Sequence, residues 1–285
     1  MNEKYIVIGS GELAVRIAKL LITKVSELTV IEYKYSGKSM VERLCMAEKI
    51  PYKQLTKNEI TNEIKSELET SKVKIVSAVN TYIFPAEIVE NPNFYGINYH
   101  NALLPKHRGM NVESHTIFAL DKESGITWHK IAEDIDTGMI ACQKKILLAN
   151  NMTSIRLLML QSNLAYEGFA EIADDFINES VDFYNQQGDG EYHPINQAPN
   201  GGVMSLDMKD SKIHAFLRAM DYGIISPYGM PRINIAGQQY TYRSYSIEPA
   251  DDKEPYFILD GREIRFKVDK SGYNYILKNV ALIQK

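Results

Sequence analysis

The sequence predicts an α/β fold, with a mostly parallel sheet that has helices on both faces, followed by a small C-terminal antiparallel β domain. Short apolar runs alternate with amphipathic stretches through the first half of the chain, a pattern typical of parallel strands joined by crossover helices. A turn of small residues follows the first apolar run, as in many doubly wound sheets. Near the C-terminus, short alternating runs are separated by turn residues, which indicates antiparallel strands.

Strands and helices alternate along the first part of the chain. The strands are largely apolar, as expected for strands covered on both faces, and the helices have apolar residues at helical spacing. Asn111 is predicted to cap the helix that follows it. The predicted strands are Tyr5–Ile8, Leu28–Ile31, Pro51–Leu55, Lys74–Val79, a run ending at His100, and Gly125–Ile131. The first predicted helix follows the glycine turn and ends near Leu21. The other predicted helices are Lys38–Glu48, Asn58–Leu68, Val112–Leu120 and Met152–Ser180.

The pattern changes after that long helix. Residues Asn185–Gly202 are rich in Gln, Asn and Gly, which predicts a linker or a surface loop. A short helix at Ser211–Tyr222 should stop at Gly223, and Asp260-Gly261 predicts a two-residue hairpin turn. The strands predicted in this part are Arg232–Ile235, Gln239–Ile247, Tyr256–Leu259, Glu263–Val268 and Tyr275–Leu282.

The length and composition are those of a two-domain protein. With 285 residues, of which 45% are hydrophobic and 24% charged, the chain can bury one large core and a second, smaller one. We place a large N-terminal domain at 1–184, a linker with a short helix at 185–231, and the small β domain at 232–285.

Charge and cysteine content argue against several classes of function. The net charge is −4, the pI is about 5.9 and no long basic run occurs, so no nucleic-acid partner is expected. The two cysteines, Cys45 and Cys142, have neither zinc-site nor Cys-x-x-Cys spacing, which argues against a structural metal and for a reducing compartment. No signal segment and no bilayer-spanning apolar run are found. We expect a cytoplasmic protein with no membrane or metal partner.

The turn after the first strand, Gly9-Ser10-Gly11, belongs to a G-x-G-x-x-A pattern that opens a helix. Glu32 closes the next strand about twenty residues on, and together these features outline a Rossmann-like dinucleotide-binding fingerprint. A nicotinamide-dependent oxidoreductase is therefore one hypothesis. The same small residues also serve simply to turn tightly after the first strand of such a sheet, and the helix N-terminus could instead receive a phosphate.

A second group of polar residues lies near the middle of the chain. Asn98 and His100 alternate along a predicted strand, so their side chains point to the same face. Asp136 follows the neighbouring predicted strand in an Asp-Thr-Gly turn. An amide, an imidazole and a carboxylate that converge in this way suit an addition to a carbonyl group. Each residue also has an ordinary interpretation, as a packed strand-end histidine or as part of a simple turn.

The order of these residues resembles the hallmark of the folate-dependent formyltransferases. That family has Asn-x-His, then Leu-Leu-Pro and Arg-Gly, and later a Leu-Asp-x-Gly turn with the catalytic Asp. The family commonly has Pro-Ser after the histidine, where this chain has Asn101 and Ala102, a departure that leaves the triad intact. The resemblance covers roughly Lys4–Leu148. The matching positions are Asn98, His100, Leu103, Leu104, Pro105, Arg108, Gly109 and Ile135-Asp136-Thr137-Gly138.

The resemblance implies a transferase that moves a formyl group from its co-substrate, 10-formyltetrahydrofolate, to a primary amine. Asn98 and a protonated His100 would stabilise the oxyanion, and Asp136 would orient the imidazole and help to move the proton of the amine. The residues implied to bind the folate are Ile83, Phe84, Leu104, Ile131, Ala132 and Glu133, and those implied to bind the acceptor are Gly9, Ser10, Gly11, Arg108, Gly109, Met110 and Asn111.

Several alternatives stay open at this point. An enzyme of the same fold could hydrolyse formyltetrahydrofolate, the glycine turn could bind a nicotinamide cofactor, or the chain could be a non-enzymatic carrier-binding module. The acceptor is either an amino acid or peptide tethered to a carrier protein or a nucleotide-linked amino sugar. The strings around Trp128 and at Phe216–Pro231 favour a carrier-linked acceptor slightly. The role of the C-terminal β domain is open, and a homodimer is an option.

Overall fold

The computed structural model describes residues 2–34, 39–250 and 254–283. These residues form two compact units. The domain boundaries expected at residues 184 and 231 stay a prediction, and two segments of the second unit come from inside the range 1–184. The first unit consists of the described parts of Met1–Gly109, Ser124–Ile146 and Met159–Tyr192, and the second of Met110–Glu123, Leu147–Leu158 and the described parts of His193–Lys285.

The first unit contains a seven-stranded sheet. As far as residue 193, the strands in chain order are β1 (Asn2–Gly9), β2 (Leu28–Tyr33), β3 (Tyr52–Leu55), β4 (Ser71–Ala78), β5 (Phe94–His100), β6 (Arg108–Gly109), β7 (Glu123–Lys130), β8 (Ile140–Leu147) and β9 (Tyr192–His193), of which β6 and β9 are not part of this sheet. The sheet has the order β3-β2-β1-β4-β5-β7-β8. Strand β1 pairs in parallel with β2 and β4, and β5 pairs in parallel with β4 but antiparallel with β7. The predicted mostly parallel sheet is confirmed.

Helices lie on both faces of this sheet, as predicted. In chain order, the helices of the described residues are α1 (Gly11–Ile22), α2 (Met40–Ala47), α3 (Lys57–Thr70), α4 (Ala86–Val89), α5 (Val112–Ala119), α6 (Ser154–Asn178) and α7 (Asp210–Ala219), of which α5 and α7 belong to the second unit. Because side chains alternate along a strand, Val7 of β1 lies in a core with Leu13 of α1, whereas Ile8 lies in another with Ile60 of α3. Among the described residues, no helix combines the length and the apolar character needed to cross a bilayer.

The second unit contains two small sheets. Its strands are β10 (Val203–Ser205), β11 (Arg232–Ile235), β12 (Gln238–Thr241), β13 (Ser244–Pro249), β14 (Tyr256–Asp260), β15 (Glu263–Lys267), β16 (Tyr273–Lys278) and β17 (Ala281–Leu282). One sheet has the order β10-β11-β12-β17 and the other the order β13-β16-β15-β14. All pairings of the second sheet are antiparallel, as the sequence predicts. Phe216 of α7 and Phe266 of β15 share the core of this unit.

Two predicted strands are wrong in extent. The stretch Gln239–Ile247 is not one strand, because the chain leaves β12 at the buried Tyr242 and enters a different sheet as β13. The stretch Tyr275–Leu282 is divided into β16 and β17 by Asn279, whose φ of 56° is left-handed and ends an extended run. The predicted helix start at Lys38 lies outside the described residues.

Two smaller expectations also need correction. The stretch Asn185–Gly202, predicted as a loop or linker, includes β9 and a short 3-10 segment at Pro199–Gly202. Asn111 stands at the N-cap position of α5, but its side chain makes no capping hydrogen bond and its φ is 52°. Its side-chain amide donates to the carbonyl of Ile195 at 3.4 Å instead.

Candidate active site

Two adjacent antiparallel strands position the polar side chains of the site. Asn98 and His100 alternate in β5, and His129 of β7 lies directly opposite Asn98. Directly opposed residues project to the same face of a sheet, so the three polar groups share one face. Trp128 projects to the other face, where it is fully buried and donates its Nε1–H to the carbonyl of Ala165 at 2.9 Å.

Asp136 meets these groups from the turn that follows β7. Its Oδ2 atom lies 3.4 Å from Nδ1 of His100, and its Oδ1 atom lies 3.4 Å from Nε2 of His129. The N–H of Gly109 donates to Oδ2 at 2.8 Å. The structure therefore brings together the amide, the imidazole and the carboxylate singled out in the sequence, and it adds a second imidazole.

His129 links Asn98 to Asp136, a role that sequence reasoning did not assign. Its Nδ1–H donates to the carbonyl of Lys130 at 2.9 Å, and its Nε2 accepts from the amide of Asn98 at 3.1 Å. The same Nε2 atom lies 3.4 Å from Oδ1 of Asp136. The only signal in the sequence was the alternation of Trp128 and His129, which allows either side chain to reach the site.

His100 is buried, and its ring is neutral near pH 7. Its Nε2–H donates to the carbonyl of His107 at 2.8 Å, and only 4% of its surface is exposed. Burial lowers the pKa of His100 below its ordinary value of 6.5, an effect that Asp136 and the carbonyl of His107 only partly oppose. The resting site thus differs from the protonated imidazole expected from the sequence, since the ring enters the reaction able to accept a proton.

Asp136 is ionised in the same environment. Burial by itself would raise its pKa, but the neighbouring imidazoles of His100 and His129 and the hydrogen bond from the N–H of Gly109 bring the pKa of Asp136 to about 2. The carboxylate therefore carries its charge at any pH close to neutral. A fixed negative charge of this kind stabilises positive charge that develops beside it.

The turn that carries Asp136 is held from several sides. Asp136 has a left-handed φ of 58°, which Asp adopts more readily than most residues. The side chain of Gln186 donates to the carbonyls of Asp136 at 2.9 Å and Gly138 at 2.8 Å. A Cβ at Gly138 would lie 1.8 Å from the carbonyl oxygen of Lys130, so only glycine fits. Gln186 lies in the predicted loop, and nothing in the sequence marked it.

The segment after His100 is fastened by side chains of β7 and β8. The hydroxyl of Thr127 accepts from the N–H of Leu104 at 3.1 Å and donates to the carbonyl of Ala102 at 2.6 Å. Gln143 donates to the carbonyl of Leu104 at 2.9 Å. Leu104, expected to bind the folate, is itself buried. These contacts hold the backbone next to the imidazole in place.

The apolar residues expected to contact a pterin differ in exposure. Ile83 is 53% exposed and offers apolar surface to a ligand. Phe84 is only 7% exposed, and its ring packs against those of Tyr82 and Phe94. The expected contact between Phe84 and a pterin is therefore not supported, and Phe84 is a core residue.

The second predicted wall of the folate pocket follows β7. Ile131 is buried, and its N–H donates to the carbonyl of Gly96 at 2.9 Å. Ala132 is half-buried and Glu133 is exposed. These last two residues, unlike Ile131, are accessible to a ligand.

Close packing shapes the glycine turn after β1. A Cβ at Gly9 would lie 1.8 Å from the carbonyl oxygen of Ala78, so this glycine permits the close approach of β4. The N–H and the hydroxyl of Ser10 both donate to the carbonyl of Val79, at 3.1 and 3.0 Å. Ser10 does not cap α1, and Gly11 has open space around it. The uncapped first turn of α1 suits an anion.

The carboxylate that a dinucleotide site would need is engaged within the protein. Glu32 is 3% exposed and accepts hydrogen bonds from the hydroxyls of Ser39 and Tyr52, the latter at 2.6 Å. It cannot at the same time bind a ribose hydroxyl, so the nicotinamide hypothesis loses its acidic residue.

The remaining residues expected to contact the acceptor are divided between the two units. Arg108 and Gly109 lie in the first unit, where the N–H of Gly109 holds Asp136. The Nε atom of the half-buried Arg108 is buried and has no hydrogen-bond partner among the described residues. Met110 and Asn111 belong to the second unit.

The fold and the site together define a group-transfer enzyme that acts at a carbonyl carbon, because an amide donor, a buried neutral imidazole and an ionised carboxylate meet on one face of a mostly parallel sheet. A family model described as formyl transferase matches residues 11–171, more than half of the 285 residues. The chain belongs to the formyl transferase family.

Individual relatives of the chain are also named as formyltransferases. The chain is 29% identical over 223 residues to a methionyl-tRNA formyltransferase of Wolbachia pipientis subsp. Culex pipiens, covering 74% of this chain and 70% of the relative. It is 26% identical over 173 residues to a GDP-perosamine N-formyltransferase of Brucella melitensis biotype 1, covering 61% of this chain and 65% of the relative.

A solved structure matches almost the whole chain. The N-formyltransferase from Helicobacter canadensis, in complex with folinic acid and dTDP-3-aminofucose, superposes with a TM-score of 0.71. The two sequences are 18% identical, and the match covers 98% of this chain and 99% of that chain. At this identity the similarity concerns the fold, which is confirmed as that of a formyltransferase.

Proposed function

We propose that this protein is an N-formyltransferase that moves a formyl group from 10-formyltetrahydrofolate to the amine of a nucleotide-linked amino sugar. The proposal depends mainly on one observation, the contact of the ionised Asp136 with His100 on the sheet face that carries Asn98. Because the chain belongs to the formyl transferase family, we take the transferred group to be a formyl group.

In the proposed reaction, the neutral amine attacks the formyl carbon. A C–N bond forms, and the bond between the formyl carbon and N10 of the folate then breaks. The formyl oxygen becomes negatively charged in between and needs a donor about 3 Å away. Asn98 supplies one, because its amide nitrogen has two N–H groups and only one is directed at His129. Asn98 is half-buried, so a ligand can reach it.

The amine must also lose a proton, and N10 must gain one. Asp136 stabilises the positive charge that builds up on the attacking amine. His100 lies 3.4 Å from that carboxylate and, being neutral, takes up the proton as an imidazolium that the carboxylate stabilises. Because His100 is buried, a water molecule completes the path to N10.

The folate site is supported by apolar surface and by accessible residues after β7. Exposed Ile83 offers a contact to the flat pterin ring, and the accessible residues Ala132 and Glu133 suit its polar edge. The Helicobacter canadensis enzyme, with the same fold, was solved in complex with folinic acid. We therefore assign the co-substrate to the side of the site formed by these residues.

A nucleotide-linked amino sugar is favoured over the other acceptors. The Brucella melitensis relative is a GDP-perosamine N-formyltransferase, and the Helicobacter canadensis structure contains dTDP-3-aminofucose. A diphosphate could be received by the uncapped N-terminus of α1 and by the guanidinium of the half-buried Arg108.

Two rival acceptors have less support. The Wolbachia pipientis relative formylates methionyl-tRNA by name, but a net charge of −4 is unfavourable for binding a polyanion. The preference for a carrier-linked amine depended partly on Trp128, whose side chain is buried in the core and cannot report on the acceptor.

The test is a mass-spectrometric screen for amines that gain one carbonyl unit from 10-formyltetrahydrofolate. Nucleotide-linked amino sugars, an aminoacylated carrier protein and methionyl-tRNA would be compared at equal concentration. Preferential formylation of a sugar supports the proposal, and preference for the carrier or the tRNA overturns the acceptor. Formate released at full rate without any amine would identify a hydrolase instead.

Some expectations from the sequence stay predictions. We propose a cytoplasmic location, which rests on the two cysteines without disulfide or zinc spacing. We also propose that nucleic acid is not a partner and that the protein forms a homodimer. A fluorescence titration that compares formyltetrahydrofolate with a nicotinamide cofactor would separate the transferase from the oxidoreductase hypothesis.

A further inference from the structure

The chain that leaves β4 carries backbone strain. Val79, the residue directly after β4, has a left-handed φ of 57°. Among the described residues other than glycine with a left-handed backbone, it is the only one with a β-branched side chain. Such a residue is a conformational outlier that persists only where its surroundings hold it, and strain of this kind clusters at ligand-binding sites. The segment formed by residues 79–83 therefore needs a functional explanation.

Ser10, in the turn after β1, holds the strained residue. Its N–H and its hydroxyl both donate to the carbonyl of Val79, at 3.1 and 3.0 Å. The same N–H also lies 3.3 Å from the carbonyl oxygen of Ala78. Two donors from one residue thus fix the peptide group that follows the strained φ.

Asn80 holds the rest of the segment. Its Oδ1 accepts from the N–H of Tyr82 at 2.9 Å, and its Nδ2 donates to the carbonyl of Tyr82 at 3.1 Å. Nδ2 also donates to the hydroxyl of the buried Ser77 at 3.2 Å. An Asn side chain that bonds to the backbone two residues on closes a tight turn. The segment is consequently preformed without a ligand.

The segment turns its aliphatic side chains outward. Val79 is 47% exposed and Ile83 is 53% exposed, whereas Tyr82 is buried and packs its ring against that of Phe84. The strain at Val79 is therefore not offset by burial of its own side chain within the described fold. A ligand that covers this valine would supply the missing apolar contact.

The segment begins beside the candidate active site. Ser77 of β4 is the register partner of Asn98 in β5, and Val79 follows two residues later. In open parallel sheets, ligands bind outside the carboxyl ends of the strands, which is where this segment starts. Along the chain, Val79 thus lies between the strand end next to Asn98 and Ile83, the residue assigned to the pterin.

We propose that Val79 contacts the folate and extends the apolar surface of Ile83 towards Asn98, and that Asn80 is a positioning residue that holds the segment ready for binding. The inference rests on the proposed function, which assigns the folate to this side of the site. Binding then buries a valine that the free protein leaves exposed. Because the segment is already ordered, little conformational entropy is lost when the folate binds.

Calorimetric titration with folinic acid tests the contact, since no amine is needed. Val79→Asn removes the apolar contact and should raise Kd about 5- to 10-fold. Asparagine adopts a left-handed φ more readily than valine, so the melting temperature should stay the same or rise. Weaker binding by a protein of equal or higher stability is a combination that general damage to the fold would not produce.

Lys49→Asn is the matched control for the backbone. Lys49 is exposed, lies in the same unit and has a φ of 56°, so the same relief of strain should leave Kd unchanged. Val79→Asn with the wild-type Kd, or with a lower melting temperature, overturns the proposal. Failure of the wild type to bind folinic acid would instead overturn the proposed function, and this inference with it.

Steady-state kinetics test the role of Asn80. Asn80→Ala should raise KM for 10-formyltetrahydrofolate about 10-fold, as expected for the loss of hydrogen bonds that hold the segment, with little change in kcat or in KM for the amine. Asn80→Asp keeps the acceptor for the N–H of Tyr82 and should recover part of the loss.

Asn91→Ala is the matched control for the turn. The Oδ1 of Asn91 accepts from the N–H of Asn93 at 2.9 Å in an equivalent turn, but this turn precedes β5 and lies at the amino end of the parallel strands. All three kinetic constants should stay near wild type in this variant. Equal effects of Asn80→Ala and Asn91→Ala, or a loss in Asn80→Ala that falls on kcat instead of on KM for the folate, would overturn the positioning role.

Discussion

Nε2 of His129 lies 3.4 Å from Oδ1 of Asp136, the carboxylate oxygen that His100 does not contact. The carboxylate is therefore positioned by two imidazoles and by the N–H of Gly109. This arrangement makes His129 a positioning residue, since it acts on the reacting groups through Asn98 and Asp136.

We predict that His129→Asn lowers kcat about 10- to 100-fold, the range expected when a reacting group is slightly misplaced, with little change in KM. Burial lowers the pKa of His100 and the neighbouring imidazole of His129 lowers it further, so the acid limb of the rate profile should also move to higher pH when His129 is replaced. His214→Asn, in the second unit, is the control and should change neither. An unchanged pH profile in His129→Asn would exclude the positioning role.

Replacement of the carboxylate should remove most activity. For Asp136→Asn we expect kcat to fall by about 100- to 10,000-fold, because neither the charge on the amine nor the imidazolium is then stabilised. The neighbouring exposed Asp134→Asn makes the same chemical change in the same turn and should keep nearly full activity. The measurement is the initial rate of formyl transfer by each variant. Comparable rates for Asp136→Asn and Asp134→Asn would contradict the mechanism.

The protonation state of His100 should govern the pH dependence. Because a ring that is already protonated cannot accept a proton, kcat/KM should be level near neutral pH and fall as the pH decreases below 6.5. In Asp136→Asn the limb should move to still lower pH, since burial lowers the pKa of His100 and Asp136 is the group that most opposes it. Because the substrate amine also titrates, the decisive observation is the shift, and a limb that Asp136→Asn leaves unmoved would contradict its assignment to His100.

Protonation of His100 should lower the stability of the fold as well as the activity. Its pKa is lower in the folded chain than in the unfolded chain, so unfolding takes up a proton below pH 6.5. The free energy of unfolding contributed by His100 therefore falls as the pH decreases from 6.5 towards the lowered pKa. Urea unfolding of the wild type and of His100→Asn across this range should converge as the pH is lowered.

Gln186 should matter for both activity and stability. Removing its two hydrogen bonds in Gln186→Leu leaves the carbonyls of Asp136 and Gly138 without that donor, at a cost of about 1 to 3 kcal/mol. We expect a lower melting temperature and a lower kcat. The adjacent, exposed Gln187→Leu is the control and should leave both near wild type. Equal melting curves for the two variants would show that the two hydrogen bonds of Gln186 contribute nothing to stability.

Much of this architecture could be predicted from the sequence. The parallel sheet followed from apolar runs between amphipathic stretches, and the hairpin at Asp260-Gly261 followed from its turn residues. Alternation along β5 correctly placed Asn98 and His100 on one face, and the Asp-Thr-Gly turn brought Asp136 to them.

Other features depend on contacts between distant segments and could not be predicted. The register of β5 against β7 decides that His129 rather than Trp128 joins the site, and a sequence pattern does not fix a register. Phe84 was expected at the ligand because it follows a strand end, yet its packing against Tyr82 and Phe94 makes it a core residue. Burial likewise decides the charge of His100.

The left-handed backbone at Asp136 restricts what can replace it. Asparagine tolerates a φ of 58° at least as well as aspartate, whereas a β-branched residue such as valine does not. An Asp136→Asn protein consequently reports on the lost charge with the turn preserved, while Asp136→Val would confound lost chemistry with a distorted chain. Random mutagenesis at this codon should therefore recover soluble but inactive protein mainly as asparagine or glycine.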